Sequence, residues 1–191
     1  MNKNPISRTS IAALASLALL SWLAMSPAGA AHDDDAALLK ALPASKLSLV
    51  DGIEQVSKNG EAAISAKFEM DDGGKLSLSV YTAQKGLAVD AENNVLEEYG
   101  GSPETTPWAP GAEVFKDIPH VARASSQLAL MSLSHHSLAQ LVTTAQKGTK
   151  GTVLSATPGL VGGRAVLAVS VVRAGHVTTR HVDLVSGRVV K

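Results

Sequence analysis

The sequence predicts an α+β protein in which two similar modules, each a helix-loop-helix followed by an antiparallel sheet, come after a cleaved signal peptide. Three observations favour this class: an apolar N-terminal segment that ends in small residues, a pattern of serines, glycines and apolar residues that occurs twice, and a change in each copy from helical to strand periodicity. The predicted divisions are residues 1–30 for the signal peptide, 31–99 for the first module, 100–120 for a linker with the start of a connecting helix, and 121–191 for the second module.

The first 30 residues have the parts of a secretory signal. Lys3 and Arg8 are basic, residues 11–25 are almost wholly apolar, and residues 28–30 form a small-x-small cleavage pattern. The apolar run is short for a membrane anchor and no basic stop-transfer cluster follows it, so we expect cleavage before Ala31. No later stretch is apolar enough to span a membrane, which predicts a periplasmic or secreted protein.

The composition limits both the fold and the partners. There is no cysteine, so disulfides and acylation of an N-terminal cysteine are excluded and the fold must rest on apolar burial. Without Lys3 and Arg8, 15 of the 17 basic residues remain against 17 acidic ones. A nearly neutral chain argues against binding to nucleic acid or to an anionic membrane surface.

The two modules align through serines that can begin helices and through glycine turns. Ser48 and Ser137 are 89 residues apart, and the same 89 residues separate Gly73 from Gly162. Apolar residues follow each serine at helical spacing, which predicts a helix in each module that ends at a left-handed glycine, Gly60 or Gly148. A second helix is predicted upstream in each copy, over residues 34–42 and about 121–133.

Strand periodicity follows the helices. Residues 64–70 and 76–81 alternate apolar and polar side chains, which predicts one buried and one wet sheet face, and the glycine pairs at 73–74 and 162–163 are typical of hairpin turns. A third strand is predicted in each module, ending at Asp90 in the first and at Asp183 in the second. A turn and a short β segment are expected to follow it. Residues 165–172 are almost continuously apolar and are expected to be covered on both faces. The proline-containing stretch 100–111 is expected to be irregular.

These residues resemble the PepSY domain, a small exported module of a helix followed by antiparallel strands. The ending Val-Asp-Leu-Val-Ser-Gly-Arg-Val-Val at 182–190 is similar to that family's closing strand-turn-strand, and residues 89–96 form a shorter version with Asn94 where glycine is usual. The tandem plan is also similar to the beta-lactamase inhibitor proteins. The resemblance implies a noncatalytic protein associated with inhibition or regulation of peptidases, and it brings no active-site residues with it.

The sequence offers no catalytic motif. It lacks a Gly-x-Ser-x-Gly elbow, a His-Glu-x-x-His pair, a phosphate-binding glycine loop and any cysteine nucleophile, so no enzyme and no cofactor are predicted. His135 and His136 are adjacent and would diverge on a helix, which favours a helix-helix junction over a metal site. His176 and His181 differ in strand parity and are expected on opposite faces.

Three further features have two readings each. The acidic run at 32–35 could bind a divalent cation loosely, although a solvated tail that favours a helix start is the preferred interpretation. Asp90 and Asp183 could form a carboxylate pair, but their positions before turns favour capping of the turn backbone. Trp108, among prolines, is either an exposed partner anchor or an aromatic pinned between the modules.

We therefore expect a noncatalytic exported binding protein of the bacterial envelope that engages a peptidase or another envelope protein. The alternative is a ligand- or metal-responsive periplasmic protein that holds a small molecule in the cleft between the modules. The residues assign no catalytic, cofactor or metal site, and they single out no partner-binding set.

Overall fold

The computed structural model describes residues 30–58 and 60–190, with side chains from Asp35 onward. The predicted signal peptide lies outside the described residues except for Ala30, and so do the side chains of the acidic run before Asp35.

Helices and one antiparallel sheet make up the described chain, so the α+β class is confirmed. The helices are α1 (Ala30–Ala41), α2 (Leu49–Ser57), α3 (Ile118–Met131) and α4 (Leu138–Gln146), with a 3-10 turn at Leu42–Ala44. The strands are β1 (Ala62–Met70), β2 (Leu76–Ala83), β3 (Leu96–Gly101), β4 (Gly111–Val114), β5 (Thr152–Val161), β6 (Arg164–Arg173) and β7 (His176–Asp183). They form a single sheet in the order β4-β3-β2-β1-β5-β6-β7, in which β1 and β5 pair at the centre.

The predicted serine caps are confirmed. The hydroxyl of Ser48 accepts from the amide of Asp51, whose carboxylate accepts from the Ser48 amide, and Ser137 and Gln140 make the same reciprocal capping box on α4. The glycine expected after each helix has positive φ, 86° at Gly60 and 74° at Gly148. Local capping chemistry therefore fixes where both helices begin and how the chain leaves them.

The main core lies between the sheet and the helices α2 and α4, on what we call the inner face. Leu78 of β2 marks this face, because a Cβ built on Gly52 of α2 would come within 2.4 Å of its side chain. The side chains of Ile53, Leu141 and Val142 are fully or almost fully buried here. Burial of these aliphatic side chains supplies the stabilisation that a cysteine-free chain requires.

The opposite, outer face is not uniformly wet, which corrects the simple alternation predicted for β2. Tyr81 is only 4% exposed, because Phe115 packs edge-on against it with ring centroids 4.8 Å apart. Ser65, directly across from Tyr81 in the register, donates a 2.8 Å hydrogen bond to the buried side chain of Gln127 on α3. The segment after β4 therefore crosses part of the outer face, a long-range contact that periodicity does not encode.

The predicted third strand of the first half was wrong. Residues 84–95 form turns, and β3 begins only at Leu96. Asn94 explains the difference: its amide nitrogen donates to the carbonyls of Gly86 (2.9 Å) and Val89 (3.0 Å), and its oxygen accepts from the amide of Lys85 (2.9 Å). These bonds satisfy loop backbone groups that would otherwise need a strand partner. In the second half, β7 does end at Asp183 and Val189 bridges to Val182, as predicted.

Two other strand predictions need correction. The segment Gly111–Val114 was predicted to lie in the linker. It pairs with β3 as the edge strand β4, because the free edge of β3 offers unpaired backbone groups. In β6 the inner-face residues Leu167, Val169 and Val171 are buried. On the outer face Val166 is buried, but Ala168, Ser170 and Val172 are half-exposed. The apolar run in β6 therefore does not make it a strand covered along both faces. The division of the chain into modules stays a prediction.

Candidate protein-binding surface

A groove of about 630 Å³ runs over the outer face of β1 to β4, and we call it the outer groove. Strand residues and the β1–β2 turn form most of it, and His120 of α3 closes one side. Its lining residues are Glu69, Met70, Asp71, Asp72, Ser77, Ser79, Glu98, Gly100, Gly111, Ala112, Glu113 and His120. Because strands in a paired ladder move little, this surface is presented on a rigid frame.

Acidic side chains dominate the outer groove. Asp71 is fixed by the turn, since one of its oxygens accepts from the amides of Gly73 (2.9 Å) and Lys75 (2.8 Å). Glu69 forms an ion pair with Lys67 and accepts from the Ser79 hydroxyl. The remaining groove acids, Asp72, Glu98 and Glu113, add further negative charge at its rim. The arrangement attracts cationic groups by long-range electrostatics.

The two halves of the chain differ strongly in charge. Residues 31–114 contain 15 acidic and six basic residues, a formal net charge of −9, whereas residues 115–191 contain two acidic and nine basic residues, a formal net charge of +7. Counting charge over the whole mature chain hides this division. A count by halves would have indicated from sequence that the acidic surface belongs to the first half.

A second groove lies between α2 and α4, with a volume of about 710 Å³. Glu54 and Lys58 line it from the α2 side, and His136, Gln140 and Lys147 line it from the α4 side. Its volume is in the range of small-molecule pockets. This is the place in the fold that corresponds to the predicted cleft between modules.

A partly buried polar cluster that sequence reasoning missed lies on the inner face, where β1 begins beside the end of β2 and the start of β3. The hydroxyls of Tyr99 and Thr82 donate to the two oxygens of Glu61 at 2.7 and 2.8 Å. Glu97 is 5% exposed, and one of its carboxyl oxygens has no hydrogen-bond partner among the described residues. The signal in the sequence is weak, since Glu97 sits in a run of glutamates that is typical of a solvated surface.

The cluster raises the pKa of two of its members. The hydrogen bond to Glu61, with burial and nearby carboxylates, raises the pKa of Tyr99 to about 12. Burial raises the pKa of Glu97, and the charge of Glu61 and a hydrogen bond to it raise it further. Both effects favour protonated side chains at this end of the sheet.

The histidines whose side chains the structure describes are not gathered into a site. His135 and His136 lie between α3 and α4, as the helix-junction interpretation predicts, and His176 and His181 lie five residues apart on the continuous strand β7. Within the described residues, no three His, Cys, Asp or Glu side chains are grouped so as to hold a metal ion. His136 instead packs against Gly187, whose φ is +65° and where an added Cβ would come within 2.4 Å of the imidazole.

Asp90 and Asp183 cap turns, as predicted. Asp90 accepts from the amide of Asn93 at 3.0 Å, and Asp183 accepts from the amide and hydroxyl of Ser186 at 2.8 and 2.9 Å. These bonds from Ser186 lower the pKa of Asp183. The two carboxylates therefore serve the backbone at separate turns.

Trp108 is buried rather than presented to a partner. Only 3% of it is exposed, its indole nitrogen donates to the carbonyl of Gly101 (3.3 Å), and its own carbonyl accepts from the Gln55 side chain (2.8 Å). This burial contradicts the exposed partner anchor, and the indole is pinned against α2 and the end of β3 in the first half of the chain rather than between the two predicted modules. The linker is thereby fastened to α2 and to the end of β3.

No family model matches the chain, and no curated protein matches it. A crystal structure of a candidate lipoprotein from Clostridium difficile 630 aligns with 77% of this chain and 92% of its own, at 15% sequence identity and a TM-score of 0.37. Among residues 30–58 and 60–190, no helix is both long and apolar enough to cross a membrane.

Proposed function

We propose that this chain is a noncatalytic, exported binding protein of the bacterial envelope, built from two PepSY-like modules, that contacts a peptidase or another envelope protein through the outer groove. The observation that carries the proposal is the acid-lined groove itself. It lies on a rigid sheet in the half of the chain that holds most of the acidic residues. A protein partner with a basic surface would be drawn to it by charge complementarity.

The tandem arrangement is supported by matching details in the two hairpins. Each carries a register shift in its first strand, between Ala63 and Ser65 in β1 and between Val153 and Ser155 in β5. The residue pairs next to the shifts also correspond, since Ser65 lies opposite Tyr81 and Ser155 opposite Ser170. Together with the two capping boxes, these irregularities favour duplication of one module.

Affinity capture followed by an enzyme assay tests this function. The full-length sequence is expressed with a C-terminal tag, the protein is purified from the cell envelope, and native envelope extract is passed over it. We expect reproducible capture of a peptidase whose activity changes when the pure chain is added. Glu113→Lys in the groove should lower capture, whereas Glu92→Lys, an exposed acid outside the groove lining, should not. Failure to enrich any protein would contradict the proposal.

Export is tested separately by sequencing the N-terminus of the purified protein. Cleavage before Ala31 should leave a chain that begins Ala-His-Asp. Recovery from the cytoplasm with residues 1–30 intact would contradict an exported location, whatever the capture experiment shows.

The alternative function is binding of a small molecule in the α2–α4 groove, which its volume of about 710 Å³ favours. A ligand bound there must raise the melting temperature of the native protein. Thermal shift across envelope metabolites and divalent metals, repeated with Gln140→Ala and with Glu92→Ala as a distant control, separates this alternative from the first. Stabilisation that only Gln140→Ala abolishes would favour it.

A further inference from the structure

The half-buried side chain of Glu61 and the buried side chain of Glu97 lie at the same end of three neighbouring strands. In the sheet register, Thr82 of β2 lies opposite Glu97 of β3, and Val80 lies opposite Tyr99. Glu61 immediately precedes β1 and accepts the hydroxyls of Thr82 and Tyr99. The side chains of Glu61, Thr82 and Tyr99 therefore link the start of β1 to β2 and β3, in addition to the backbone ladder.

The donors in this cluster are unevenly distributed. Two hydroxyl groups point at Glu61, whereas one oxygen of the 5% exposed Glu97 has no partner among the described residues. A buried carboxylate without donors is costly, while a neutral carboxyl group can donate its own proton to a neighbouring carboxylate. A proton on Glu97 that is shared with Glu61 satisfies both side chains.

Few charges surround the pair to balance a second negative charge. Glu61 is the one charged residue that acts on the pKa of Glu97, and Tyr99 is the other titratable group of the cluster. Thr82 on β2 is neutral, and Val114 faces Glu97 across the register from β4. Among the described residues, no Lys, Arg or His side chain forms an ion pair with either glutamate.

We propose that Glu61 and Glu97 share one proton and act as a pH-sensitive latch that holds the start of β3 against β1 and β2. Loss of the proton leaves like charges on a buried and a half-buried carboxyl group, and their repulsion loosens the start of β3. The outer-groove residues Glu98 and Gly100 lie on the same strand, so unlatching also disturbs the groove. Only this last consequence rests on the proposed function; the latch itself is a property of the isolated protein.

The sign of the pH dependence follows from the raised pKa of Glu97. Because the folded pKa lies above the value in the unfolded chain, near 4.5, the folded state binds more protons between these two values. The contribution of the latch is complete below the unfolded pKa and is lost as pH rises through the folded pKa. Within that window the ratio of folded to unfolded protein should fall with rising pH relative to a protein without the latch, by at most about tenfold per pH unit for a single proton.

Urea unfolding of the full chain from pH 4 upward tests the latch. Glu97→Gln keeps the shape of the protonated side chain but cannot ionise, and Glu98→Gln, the next residue on the opposite face of β3, is the matched control. We expect the unfolding midpoint of wild type to fall relative to Glu97→Gln as pH rises, and Glu98→Gln to follow wild type. Parallel curves for wild type and Glu97→Gln would overturn the latch.

Infrared spectroscopy of the wild type gives a second test that needs no variant to fold. With isotope-labelled glutamate, the carbonyl band of a neutral carboxyl group should persist at pH values where exposed glutamates are ionised. Absence of that band would overturn the proposal. Stabilisation by calcium chloride that Glu97→Gln abolishes would also overturn it, because the pair would then be a cation site rather than a proton site.

Discussion

The two halves of this chain share a backbone plan but differ in the side chains that complete it. Each has a nine-residue helix with a serine capping box, followed by a hairpin with a register shift in its first strand. Four residues after the capping serine, however, the first half has Gly52 and the second has Leu141. Gly52 lets Leu78 and Trp108 approach the helix, whereas Leu141 fills the core with its own side chain. The same frame can therefore be completed from a distant segment or locally.

The two halves also differ in where their polar and charged side chains lie. The first half contains the acidic outer groove and the Glu61–Glu97 pair. The second half places Val153 opposite Val171 where the first has Ala63 opposite Thr82. In the second half, Arg180 instead donates to the carbonyls of Ala145 and Lys147 at the end of α4. The guanidinium of Arg180 thereby completes the helix terminus, and the proposed binding role depends on the first half.

The largest effect is expected from truncating Trp108, the linker residue that packs into the core beside α2. Trp108→Ala should lower the free energy of unfolding by about 3–5 kcal/mol, because it leaves a large cavity beside α2. Leu141→Ala, the comparison in the second half, should cost about 2–5 kcal/mol. Urea denaturation followed by circular dichroism measures both. A loss below about 1 kcal/mol for Trp108→Ala would mean that the linker is not part of the core.

Replacing Gly52 of α2 with leucine, the residue at the equivalent position of α4, tests whether the first core can be filled from the helix instead of from Trp108. Gly52→Leu alone should destabilise by about 1–3 kcal/mol, since a Cβ at this position already meets Leu78 at 2.4 Å. In the double variant Gly52→Leu/Trp108→Ala, the new side chain can occupy space that the indole leaves, so the combined loss should be smaller than the sum. Strict additivity in the same denaturation assay would contradict this account.

The capping boxes should give the smallest effects. Ser48→Ala and Ser137→Ala should each cost about 1 kcal/mol at neutral pH. Their pH dependence should differ, because hydrogen bonds from Ser48 lower the pKa of Asp51 below its ordinary value, whereas Gln140 does not titrate. Stability from a lowered carboxyl pKa is present above the unfolded value and is lost as pH falls through the folded one. The cost of Ser48→Ala should therefore shrink in acid, and that of Ser137→Ala should stay constant.

Local features of this fold could be predicted from sequence, and long-range ones could not. The capping serines, the glycine turns and the aspartate-capped turns depend on residues within about four positions of each other, so the pattern reports them directly. Burial of Tyr81 depends on Phe115, and burial of Trp108 depends on Gly52, pairs that lie far apart in the chain. Periodicity assigned Tyr81 to solvent because it describes one strand and not what later crosses it.

The polar cluster around Glu61 and the outer groove could not be predicted from sequence for a related reason. Glu97 and Glu61 lie 36 positions apart and are brought together only by the β1–β2–β3 register. The outer groove likewise combines a hairpin turn with an edge strand from the predicted linker. Its charge, in contrast, could have been anticipated by comparing the two halves of the sequence.

Charge reversal in each half tests the central claim most directly. With the partner identified by capture, its affinity is measured for Glu98→Lys/Glu113→Lys in the outer groove and for Arg164→Glu/Arg173→Glu at the two ends of β6. If the first half binds the partner, the groove variant should lose at least about tenfold in affinity and the β6 variant should bind nearly as well as wild type. Loss confined to the β6 variant would contradict the assignment of binding to the first half.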